Sequence, residues 1–137
     1  MSYLNQNLIL KAGSFGLLMG ILNTLGYTQK FELYIWFIIV LGSSIIVAKK
    51  INEKILMHCL LIGLCWGVDT AFIEAVFFKT FQNNNLYLKD IFTQTKWINP
   101  RMLLVLLGIV FGCLSGIVLY FNQSFFRSQS FLALAAT

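Results

Sequence analysis

Charge is what this chain has least of. Only 11% of its 137 residues are Asp, Glu, Lys or Arg, whereas a soluble domain carries about a quarter. The apolar fraction is 58%. A globule of this size buries only part of its surface, so a water-soluble fold would have nowhere to hide that much apolar area. A soluble enzyme, a disordered chain and a DNA-binding module are thereby excluded, and the solvent for the outside is lipid. A single proline, Pro100, leaves no apolar run interrupted by one. Cys59, Cys65 and Cys113 all lie inside apolar runs. An odd count with none in a loop excludes a disulfide framework and reads as buried thiols. The single histidine, His58, cannot supply a bis-histidine haem site within one chain. His58, Cys65 and Asp69 share a helical face, but their spacing matches no usual zinc pattern. No metal, cofactor or catalytic nucleophile–base pair is expected, and the chain is read as a non-enzyme. The G-x-G-x-x-G and P-loop motifs are absent. The net charge of +5 comes from basic residues beside apolar runs, without an Arg-rich aromatic stripe. That distribution points to membrane flanks and away from nucleic acid.

What is present is four long hydrophobic segments, at about residues 8–26, 31–48, 55–78 and 102–121. Each suits a helix crossing a hydrocarbon core of roughly 30 Å. Lipid offers the backbone no hydrogen bonds, and no period-two alternation marks a barrel strand. The expected fold is an all-α integral membrane protein: an antiparallel four-transmembrane-helix bundle over residues 1–126, with a tail over 127–137. Gly16, Gly20 and Asn23 interrupt the first segment, and no Ala-x-Ala site follows it. It is therefore expected to be a retained span and not a cleaved signal peptide.

Short connections at residues 27–30 and 49–54 predict hairpins between spans one and two, and between two and three. The long third connection begins with Gln82-Asn83-Asn84-Asn85. Beyond it Leu88, Ile91 and Phe92 share a face, with Lys89, Asp90 and Lys96 around it. This pattern reads either as a short interfacial helix before the fourth span or as a loop. Asn99-Pro100-Arg101 starts the fourth span, with proline at the first helical position and Asn99 as cap.

Orientation is balanced. Lys11, Lys49, Lys50, Lys54 and Arg127 lie on one side, and Lys30, Lys79, Lys89, Lys96 and Arg101 on the other. The crowding of Lys49, Lys50 and Lys54 favours that loop, with both termini, on the cytoplasmic side of the inner (plasma) membrane. The even count also admits dual topology.

Small residues four apart mark packing faces: Gly16/Gly20, Gly63/Gly67 and Gly108/Gly112/Gly116. These faces either pack the bundle internally or join a second copy or a membrane partner. Asp69 lies roughly 4 Å from the midpoint of the third segment. A carboxylate there costs about 2.5–3.5 kcal/mol to insert and faces protein or water. With no cation at its level, Asp69 is read as an ion or proton site or as a structural aspartate, with Glu74 as a second acidic candidate. Glu74 and Arg101 are also expected to form a structural ion pair. Polar groups on two faces make the third helix the central one. Two functions follow. One is a small, oligomeric transporter or channel with an acidic site at Asp69. The other is an accessory membrane subunit docking a partner through its glycine faces.

Overall fold

In the computed structural model of the protein, residues 4–86, 92 and 97–135 are described. All regular structure among them is helical. α1 spans Gln6–Thr24, α2 Glu32–Lys50, α3 Ile55–Val76, α4 Phe78–Asn84 and α5 Pro100–Ala135, with a 3-10 turn at Gln29–Phe31 before α2. Three helices are long and apolar enough to cross a membrane: α2, α3 and residues Pro100–Gln129 of α5. α1 matches α2 in length but carries Gln6, Asn7, Lys11 and Asn23.

Local signals explain the helix ends. Asn5 caps α1 by accepting from the Leu8 N–H at 3.0 Å. At the other end Gly26 takes φ +77°, while the Tyr27 N–H reaches Leu22 O and the Gly26 N–H reaches Asn23 O. This paired closure needs a left-handed residue after the helix, which glycine adopts without a Cβ penalty. Asn99 Oδ1 accepts from the Arg101 N–H at 3.0 Å, so the expected cap on the fourth span is in place. The fourth apolar run was expected to end at residue 121, but the helix continues unbroken to Ala135. Its 36 residues measure about 54 Å, well beyond a hydrocarbon core.

α3 is the central helix, with α1 along one side and α5 along the other. α2 packs chiefly on α5, and α1 barely meets α2. The expected hairpin adjacency is therefore corrected: short turns set the order of helices in the chain but not which faces match. Helix backbones approach where glycines align. A Cβ on Gly112 would lie 2.8 Å from Gly63 O, and one on Gly116 would lie 2.8 Å from Cys59 O. Gly67 faces Gly108 more closely still, and a Cβ on it would lie 2.8 Å from Gly112 Cα. On the other side, Gly16 lies against the Trp66 backbone and Gly20 against Thr70. In lipid such close van der Waals fit, not water exclusion, holds helices together. Gly63 and Gly67 meet α5, whereas Thr70 and Glu74, nearly in line with them, turn toward α1.

The proposed interfacial segment lies almost entirely outside the described residues. Phe92, which is described, is buried against Phe81 and Leu104, with its ring 5.5 Å from that of Phe78.

Candidate functional site

The α1–α3 seam carries most of the buried polar chemistry. At one end the His58 Nε2 accepts from the Asn5 N–H at 2.9 Å, and its Nδ1 lies 2.9 Å from Lys54 O. Only the tautomer with the proton on Nδ1 satisfies both contacts, so the ring acts as a structural clamp between the two helix starts. Farther along, the Trp66 indole N–H donates to Ala12 O at 2.6 Å. The Thr70 hydroxyl donates to Gly16 O at 2.9 Å. Both donors fasten α3 to carbonyls that the small residues of α1 leave accessible.

At the far end three elements converge on Asn23, which is 3% exposed. The Thr28 hydroxyl donates to Asn23 Oδ1, which fixes the amide with its nitrogen pointing the other way. That nitrogen donates to Glu74 Oε1 at 2.9 Å and to Glu32 Oε1 at 2.8 Å. One amide thus holds two carboxylates, from α3 and from the first turn of α2. Glu74 is 7% exposed and Glu32 half-buried. Among the described residues neither forms an ion pair. The asparagine run seals this end: Asn85 Nδ2 donates to Asn23 O and Asn84 Nδ2 to Thr24 O, both at 2.9 Å. The Asn84 amide supplies a donor to Thr24 O at the helix end, and the Asn85 amide adds a second donor to Asn23 O beside the Gly26 N–H.

The two carboxylates open on a cavity of about 470 Å³ between α2, α3 and α5. Its walls are aromatic and aliphatic, including Trp36, Trp66, Phe81, Phe92 and Phe111. The Trp36 and Trp66 rings lie 5.8 Å apart and are tilted by 52°.

The expected Glu74–Arg101 ion pair is not made. Glu74 faces Asn23, and Arg101 is exposed on the first turn of α5. A neutral amide at the level of Glu74 satisfies it inside the seam, while a guanidinium at a helix start can reach the headgroups. Asp69 sits beside Gly16, whose Cβ would lie 3.1 Å from the Asp69 Cβ. It is half-buried and has no hydrogen-bond partner among the described residues. The structure therefore brings Glu74 together with Glu32 and Asn23, and leaves Asp69 about 7.5 Å away along the α3 axis, at 1.5 Å per residue. Sequence reasoning missed Glu32. Its only signal was its position just after the Gly26 turn, nine residues from Asn23. No family model, curated protein or solved structure matches this chain.

Proposed function

We propose that this chain is a small transporter or channel of the inner membrane that moves a proton or small cation by way of its carboxylates. In this reading α1 crosses the bilayer together with α2, α3 and α5, and both termini lie in the cytoplasm. The observation that carries it is the pairing of Glu32 and Glu74 on one Asn23 amide, at the polar end of an aromatic-walled cavity. Two carboxylates beside one neutral donor attract a positive charge, and aromatic faces favour a cation above them. Asp69, nearer the middle of α3, is the next acidic station along the same seam. Carboxylates inside membrane helices are costly, which makes a functional reading the default one.

The rival reading, an accessory subunit docking through glycine faces, draws less support. Gly63, Gly67, Gly108, Gly112 and Gly116 are already covered within the chain. Proteoliposomes with an interior pH dye test the proposal. Wild type is expected to dissipate an imposed proton or cation gradient, and Glu74→Gln to abolish that flux while keeping its helical circular dichroism. Asp69→Asn is expected to reduce it strongly. Wild-type vesicles as tight as protein-free ones, or an undiminished Glu74→Gln flux, would reject the reading.

A further inference from the structure

The opposite end of the bundle has a different chemistry. A cleft of about 910 Å³ lies between the start of α3 and the C-terminal half of α5. Leu56, Met57 and Leu60 form its apolar side, and Leu56 and Met57 are exposed. Its polar side holds Arg127, Lys54, Ser124, Ser128 and Gln123. These residues lie on the stretch where α5 outruns a hydrocarbon core and beside the loop after α2. The cleft therefore straddles the boundary between acyl chains and headgroups.

Two side chains there are incompletely used. Arg127 donates to Ile51 O and to Asn52 Oδ1 at 2.7 Å, and reaches Ala48 O at 3.5 Å, all through Nη2. These bonds hold the guanidinium at the end of α2. A guanidinium has five N–H donors, so those on Nε and Nη1 remain for another acceptor. Gln123 is 1% exposed; its Nε2 donates to Ser124 Oγ at 2.8 Å, but its buried Oε1 has no partner. A buried carbonyl oxygen without a donor is unfavourable and calls for one.

We propose that this cleft binds one anionic phospholipid whose headgroup carries a hydroxyl, of the phosphatidylglycerol type. The phosphate diester accepts from the Nε and Nη1 of Arg127 and from the Lys54 ammonium. The headgroup hydroxyl donates to Gln123 Oε1. An acyl chain lies along Leu56, Met57 and Leu60. Planar anion recognition by arginine and the enrichment of anionic lipid at the cytoplasmic surface favour this occupant.

The test uses the full chain in a neutral detergent, titrated with phosphatidylglycerol or phosphatidylcholine of identical acyl chains and read by native mass spectrometry. Phosphatidylglycerol is expected to bind at least about tenfold more tightly, a difference of about 1.4 kcal/mol. Ser128→Asp, at an exposed position, should lower that affinity by about tenfold through repulsion without disturbing the helix. Gln123→Leu should weaken phosphatidylglycerol but leave phosphatidic acid, which lacks the headgroup hydroxyl, unchanged. Free glycerol phosphate should not displace the lipid. Equal binding of the two lipids, or no effect of Ser128→Asp in a variant of normal helicity, would overturn the proposal. Displacement by glycerol phosphate at equal concentration would overturn the lipid assignment in favour of a soluble phosphate.

Discussion

Gly67→Ala measures how far the α3–α5 contact governs stability. A Cβ at Gly67 would meet Gly108 O closely and would lie 2.8 Å from both Cα and N of Gly112. All three are backbone atoms of a helix, so no side-chain rotation relieves the clash. At Gly112 alone the helices must part by roughly 0.6 Å, the difference between 2.8 Å and the 3.4 Å at which ordinary contact begins. A gap of about 0.5–1 Å forfeits a quarter to a half of each dispersion contact along the seam. Overpacking of this kind costs about 1–3 kcal/mol, and Gly67 belongs at the upper end because its neighbours are all main chain. Gly42→Ala is the matched control. Nothing lies within 4 Å of a Cβ there, and the residue is exposed. Both substitutions make the same change in helix propensity, about 1 kcal/mol in favour of alanine, so their difference isolates the steric effect. Detergent-solubilised protein titrated with a denaturing detergent and followed by circular dichroism gives the two stabilities. Gly67→Ala should unfold about 2–3 kcal/mol more readily than Gly42→Ala, the upper part of the overpacking range. Equal midpoints would refute the claim that this contact holds α3 to α5.

Two further outcomes follow from the same architecture. Trp66→Phe removes the indole N–H that donates to Ala12 O and should cost about 1 kcal/mol for the bond, with a further cavity contribution, in the same unfolding titration. Cysteine at the exposed Asn83, in a chain whose three native cysteines are replaced by alanine, should react with an impermeant maleimide added outside intact cells. Reaction only after permeabilisation reverses the proposed orientation, and two reactive populations reject a single orientation in favour of dual topology.

The membrane class was legible because it depends on long apolar stretches, and the runs at 31–48, 55–78 and from 102 coincide with α2, α3 and α5 to within a few residues. The place of α3 was legible too. Polar residues on two of its faces, His58 and Asp69 on one and Thr70 and Glu74 on another, require protein on more than one side, and both α1 and α5 pack on it. The pairing of α1 with α3 and of α2 with α5 was not legible. In lipid one apolar face is as good as another, and the choice rests on the depth at which glycines meet. Gly16 opposite Trp66 and Gly67 opposite Gly108 are long-range coincidences that no local pattern encodes. Asn84 and Asn85 read as a polar loop, yet their amides close the end of α1, because which helix-end carbonyls take a side-chain donor is invisible in a sequence.

The convergence of Asn23 and Glu32 on Glu74, and not on Asp69, has the same origin. Depth along one helix identifies Asp69 as the costliest carboxylate, because cost rises toward the bilayer middle. Depth does not say which neighbours stand at that level. Opposite Asp69, α1 presents Gly16, which has no side chain to offer a hydrogen bond. Two turns on, α1 presents Asn23, oriented by Thr28, and the Gly26 turn returns the chain so that Glu32 arrives at the same amide. A carboxylate becomes part of a site when several elements converge on it, and convergence here depends on the turn between α1 and α2. The basic cleft follows the same logic at the other end, where Arg127 is fixed by the carbonyls that terminate α2. The two chemistries therefore separate by helix polarity and by turn, acidic where α2 begins and basic where it ends. A positive charge near the last carbonyls of α2 and an acidic residue in its first turn are each favourable to the α2 dipole. That shared physical preference suits Glu32 to the cavity end of α2 and Arg127 to its last carbonyls without any reference to the lysine balance.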